Sequence, residues 1–124
     1  MTRARAAAVA VLGLRVVYGV GLVAAPERLA RRWLGPSAAT PPTQVPLRAL
    51  GAREAILHGG AIAAVLSGRP VRPWLAASIV GDLSDIASTV AGRGGLPGEA
   101  PAATAVVAGA SAAISAVVAL AVDA

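Results

Sequence analysis

Residues 100–122 read APAATAVVAGASAAISAVVALAV, a run without a charged side chain that ends against Asp123. A helix in water carries a broad polar face opposite its apolar stripe. This run offers only Thr104, Ser111 and Ser115, so water would face mostly alanine. A helix of about twenty such residues, rising about 1.5 Å per residue, crosses a hydrocarbon layer of about 30 Å. Alanine is close to neutral in transfer, so Val106, Val107, Ile114, Val117, Val118 and Leu120 supply the drive for insertion.

Working outward, breaker residues divide the chain into four apolar segments of similar length, at 6–25, 46–66, 71–91 and 101–122. The connectors Gly35-Pro36-Ser37, Thr40-Pro41-Pro42, Gly68-Arg69-Pro70 and Gly92 to Gly98 suit neither helix nor strand. The whole composition agrees. Of 124 residues, 56% are hydrophobic and 14% charged, and the mean hydropathy is +0.72. The expected fold is all-α, a single integral membrane domain built as a four-helix transmembrane bundle. A soluble four-helix bundle is the alternative. A cleaved leader at the N-terminus is a competing account, but Arg15 interrupts what would be its apolar region, so a retained helix is expected.

Residues 26–35, Pro-Glu-Arg-Leu-Ala-Arg-Arg-Trp-Leu-Gly, form a short amphipathic segment. Leu29, Ala30, Trp33 and Leu34 fall on one helical face, and Arg28, Arg31 and Arg32 on the other. Proline at the start and glycine at the end are helix boundary signals. The pattern suits a helix lying in the headgroup region after the first span. Trp74 opens the third span on the opposite side, so the two tryptophans would mark both interfaces. The arginine count outside the spans is balanced: Arg3, Arg5, Arg69 and Arg72 against Arg28, Arg31, Arg32 and Arg93. Glu27 and Glu99 lie on the second side, which favours both termini in the cytoplasm.

Several chemistries are excluded. Without cysteine there is no disulfide scaffold and no thiolate metal site. Eleven arginines against six acids give a net charge of +5, but the arginines are scattered among apolar runs rather than gathered on one face, so no nucleic acid partner is expected. There is neither a phosphate loop nor a nucleophile elbow.

Apart from Arg72 at the very start of the third, seven ionisable residues fall inside the apolar segments: Arg15, Arg48, Arg53, Glu54, His58, Asp82 and Asp85. Each charge costs on the order of 2.5–3.5 kcal/mol at the centre of a membrane helix, so such residues face the interior and pair. Three positive and three negative charges balance. Arg15, Glu54, His58 and Asp82 lie near the middle of their spans, with Asp85 about 4.5 Å further on. Glu54 and His58 are i, i+4, while Ser78, Asp82, Asp85 and Thr89 share a face, as do Arg15 and Tyr18. A desolvated midplane network follows, in which Arg15 and Arg53 hold the carboxylates, Tyr18 donates a hydrogen bond and His58 sits beside Glu54.

The network admits several roles. Arginine–carboxylate bridges specify which helix faces meet, because hydrocarbon gives helices no hydrophobic drive to associate. Alternatively it forms a site for a lipophilic small molecule, with Arg15, Tyr18, Arg48 and Arg53 as ligand-binding residues. In an enzymatic form, an isomerase or cyclase, Asp82 and Asp85 would be the acids, His58 the base or shuttle, and Glu54 its neighbour. Glu54, His58, Asp82 and Asp85 also invite a metal reading, but bundle metal sites usually use two Glu-x-x-His pairs and this chain has one histidine. No metal and no cofactor are therefore expected. A structural or proton-conducting subunit of a larger complex, or a homo-oligomer, is the remaining reading.

Gly13-Leu14-Arg15 followed by Tyr18-Gly19, then Ala25-Pro26-Glu27-Arg28-Leu29, then Arg48-Ala49-Leu50-Gly51-Ala52-Arg53-Glu54 resemble landmarks of uncharacterised small four-helix integral membrane proteins of high-GC bacteria. They are more distantly similar to the DoxX-like group, some members of which are membrane subunits of quinone-linked redox systems. The resemblance covers about the first half of the chain. It implies an integral fold in a bacterial plasma membrane and a quinone or lipid partner, without assigning residues to it.

Overall fold

The computed structural model describes residues 1–123, which form helices and turns with no strand. Five α-helices follow in order: α1 (Arg3–Ala24), α2 (Pro26–Leu34), α3 (Pro41–Ser67), α4 (Arg72–Ala91) and α5 (Ala100–Val122). Single 3-10 turns cover Gly35–Ala39 and Arg93–Gly95. By length and composition α1, α3 and α5 can each cross a membrane. The α4 helix, which carries Asp82 and Asp85, is not among these three.

The α3 helix begins at Pro41, five residues before the expected start. Thr40 stays extended as its N-cap, and Pro41 and Pro42 occupy the first two helical positions. Amides there have no partner within a helix, so the missing N–H groups cost nothing. Pro46 lies inside the helix and forgoes one backbone hydrogen bond. At the other end Gly68 takes the left-handed conformation at φ 69°, its N–H directed at the Ala64 and Val65 carbonyls. That conformation favours glycine and stops the helix.

The long helices run antiparallel in succession. Gly19 meets Gly51 and Arg15 meets Glu54, so α3 descends against α1. Trp74 packs on Gly60, and Arg53 pairs with Asp85, so α4 returns along α3. Ser111 bonds Asp82, and Asp123 bonds Val71 at the far end, so α5 descends along α4. The closest pairings are α1 with α3 and α4 with α5, while α1 and α5 touch sparingly.

Charged and polar side chains are buried alongside apolar ones, and many large aliphatic side chains face outward. The enclosed positions hold alanine and glycine together with Glu54, His58, Ser78, Asp82, Thr104 and Ser115, all buried. Leu14, Val17, Ile56, Val80, Val106, Val107 and Leu120 lie more than half exposed. Scattered apolar residues are ordinary on a soluble surface, but on helices long and apolar enough to cross a membrane this many exposed aliphatic side chains suit hydrocarbon. A small apolar cluster of Ala8, Leu12, Ala61, Val65, Val71, Leu75 and Val118 fills one end. At the other end Ala30, Ala38 and Leu47 anchor α2 and its 3-10 turn to α3, with Trp33 and Leu34 alongside.

Candidate functional site

One polar network joins α1, α3, α4 and α5. Arg15 of α1 donates from Nη2 to Glu54 Oε2 at 2.9 Å, and the same nitrogen lies 3.8 Å from Asp82 Oδ1. One arginine thus lies between a carboxylate of α3 and one of α4. Asp82 also accepts from the Ser111 hydroxyl at 2.7 Å, which ties α5 to α4. Arg53 forms a fork on Asp85, with Nη2 at 2.9 Å from Oδ2 and Nη1 at 3.5 Å from Oδ1. The fork is lopsided, with one short arm and one at the limit of hydrogen-bond length, and it is part-exposed. Arg53 Nη2 also lies 3.7 Å from Glu54 Oε1. Gly81 gives the guanidinium room: a Cβ there would come within 3.0 Å of Arg53 Cζ.

His58 is wholly buried, and both ring nitrogens are engaged. Nδ1 lies 2.7 Å from the Glu54 carbonyl oxygen and 3.4 Å from its Oε2. A carbonyl oxygen only accepts, so Nδ1 carries the proton, and in the neutral ring Nε2 accepts from the Ser78 hydroxyl at 3.0 Å. Hydroxyl, imidazole and carboxylate stand in the order of a nucleophile, its base and the base's orienting group. Ser78 is only 1% exposed, however, and lines neither of the two clefts described below.

A cleft of about 420 Å³ opens beside the network, between α2, α3 and α4. Its wall is mostly apolar, with Trp33, Pro46, Leu47 and Leu50, and Arg53 and Asp85 line it too. Trp33 Nε1 and Arg53 Nε are buried without a hydrogen-bond partner. Buried donors of this kind are costly unless something accepts from them.

Of the residues singled out from the sequence, Arg15, Arg53, Glu54, His58, Asp82 and Asp85 come together. Arg48 does not: it is exposed on α3 and makes no side-chain bond among the described residues. Tyr18 lies 44% exposed, and no hydrogen bond of its hydroxyl occurs among them either. Arg48 precedes Arg53 by five residues, which turns it away from the face that carries Glu54 and His58. Glu54, His58, Asp82 and Asp85 do not form a group able to hold a metal ion among the described residues.

Two participants escaped the sequence reading. Ser111 is the partner of Asp82, and its signal was the face Thr104, Ala108, Ser111 and Ser115, spaced i, i+4, i+7, i+11. Trp33 belongs to the cleft as well as to the amphipathic face of α2. The chain matches no family model, no curated protein and no solved structure.

Proposed function

We propose that the protein is a four-helix transmembrane bundle of a bacterial plasma membrane, termini on the cytoplasmic side, which binds a lipophilic small molecule beside its midplane network. Inclusion of α4 as a span is supported by the partners of its carboxylates: Asp82 faces Ser111 and Arg15, and Asp85 faces Arg53. With both charges engaged, α4 presents Val80, Leu83 and Val90 outward. The amphipathic α2 then lies at the interface, with Arg28, Arg31 and Arg32 toward the headgroups.

The observation that carries the ligand reading is the cleft. An apolar wall leading to an arginine–aspartate pair suits an aliphatic or isoprenoid body bearing a polar head that the pair can hydrogen-bond. Acid–base chemistry on such a ligand would rest on Asp85 alone, because Asp82, His58 and Glu54 do not line the cleft. The enzymatic reading is therefore the weaker one.

Native mass spectrometry after extraction in mild detergent, followed by organic extraction of bound lipophiles, tests the reading. The expected result is a stoichiometric lipophile that is lost when Leu50→Trp fills the cleft. A ligand-free protein, or equal ligand in the filled variant, would leave the network as a device for fastening helices.

A further inference from the structure

A second cleft, of about 380 Å³, lies at the opposite end of the molecule, where α1 and α4 begin and α5 ends. Arg5, Gly68, Arg69, Pro70, Arg72, Val122 and Asp123 line it. Three arginines thus line one opening, Arg5 from the start of α1 and Arg69 and Arg72 from the connector into α4. The single acid among them is already engaged. Asp123 accepts from the Val71 N–H at 3.0 Å and the Arg72 N–H at 2.9 Å, and Arg72 Nε lies 3.8 Å away. Arg5 and Arg69 have no carboxylate partner among the described residues, and Arg5 Nε is buried without a hydrogen-bond partner. Like charges held together at a cost in repulsion are compensated when an anion sits between them.

We propose that Arg5, Arg69 and Arg72 form a binding site for a phosphate ester, the chemistry shared by an anionic phospholipid headgroup and a small soluble phosphate. Guanidinium groups match phosphate oxygens through paired N–H donors, which makes arginine better suited than lysine to this task. The position fits a lipid. The site lies where the helices would leave the hydrocarbon, beside the apolar cluster of Ala8, Leu12, Val71 and Val118. A choline headgroup would bring its ammonium against three arginines, so the site discriminates against zwitterionic lipid. This inference does not depend on the cleft at Arg53 and Asp85.

The test uses the full chain in mild detergent with phosphatidylglycerol, phosphatidylcholine and glycerol 3-phosphate as probes, read by native mass spectrometry and thermal midpoint. Wild type is expected to retain phosphatidylglycerol over phosphatidylcholine, and the pair Arg5→Gln with Arg69→Gln to weaken that retention by about tenfold, the loss of one or two charge-assisted hydrogen bonds. Arg48→Gln with Arg93→Gln, at the other end, should leave it unchanged. Displacement of the lipid by millimolar glycerol 3-phosphate would identify the free phosphate ester as a sufficient ligand, and failure to displace it would identify the lipid as the ligand. If the first pair does not fold, Arg69→Glu on the exposed loop should lower retention likewise. Equal binding of both lipids, or equal loss from both arginine pairs, would overturn the proposal.

Discussion

Gly19 of α1 and Gly51 of α3 face each other with their backbones in direct contact. A Cβ on Gly51 would stand 2.5 Å from the Gly19 carbonyl oxygen, and one on Gly19 would stand 2.6 Å from the Gly51 oxygen. Arg15 lies one turn from Gly19, and Glu54 nearly one turn from Gly51, so this close approach sets the distance across which the ion pair forms.

Replacing Gly51 by alanine is therefore expected to push the two helices apart. Overpacking of this kind typically costs about 1–3 kcal/mol. Gly59→Ala is the control, since a Cβ there meets nothing within 4 Å and alanine is the better helix former. Thermal midpoints in one detergent should fall for Gly51→Ala and hold or rise for Gly59→Ala; equal effects would remove the close approach as the cause.

Glu54 is 4% exposed and holds Arg15 as its nearest charged partner. Breaking a buried pair typically costs about 3–5 kcal/mol, and here the longer contacts of Arg15 with Asp82 and of Glu54 with Arg53 partly compensate the charge left behind. Arg15→Met and Glu54→Met should each destabilise strongly, and the double variant by less than the sum. A double-mutant cycle on melting midpoints reads the coupling, and strict additivity would mean that the pair does not couple α1 to α3.

The two aspartates of α4 should part company. Asp85 pairs with Arg53 at the cleft margin, the two side chains being 27% and 34% exposed. Asp85→Asn is expected to cost about 1 kcal/mol or less while lowering the amount of co-purifying lipophile. Asp82 is 4% exposed and engaged with Ser111, so Asp82→Asn should lower the melting midpoint more. The reverse order would place the ligand elsewhere.

Asp123 works as the N-cap of a helix distant in sequence, accepting the first amides of α4 from the end of α5. Asp123→Ala should cost about 0.5–2 kcal/mol, the usual price of a lost cap. Hydrogen exchange at Val71 and Arg72 should accelerate in that variant; unchanged protection there would deny the latch between α4 and α5.

Because the chain lacks cysteine, single cysteines report sidedness directly. Ser67→Cys and Gly94→Cys flank α4, and an impermeant maleimide should label them from opposite faces of sealed vesicles. Labelling from the same face would mean that α4 does not cross the membrane.

Much of the architecture was legible in the chain. The charge-free run of α5, the glycine and proline breakers and the amphipathic arginines of α2 are local signals, and each depends on a few neighbouring residues. The network was legible as a set of members, because Glu54 with His58, and Asp82 with Asp85, share a helical face at similar depth. Its wiring was not. Tyr18 falls on the same α1 face as Arg15, yet it points outward at the surface.

The chain alone carries the helical class, the apolar stretches and the position of each charge along its helix, since rise per residue and hydropathy need no knowledge of neighbours. Only the tertiary structure decided that Arg15 meets Glu54 rather than Asp85, that Arg53 forks onto Asp85, that Ser111 completes Asp82 and that Arg48 faces out. Those outcomes depend on which helix lies beside which and on the rotation of each about its axis. Both are set by close contacts such as Gly19 on Gly51 and Trp74 on Gly60. Periodicity along one helix carries no information about the phase of the next, so the partners emerge only when the helices are packed.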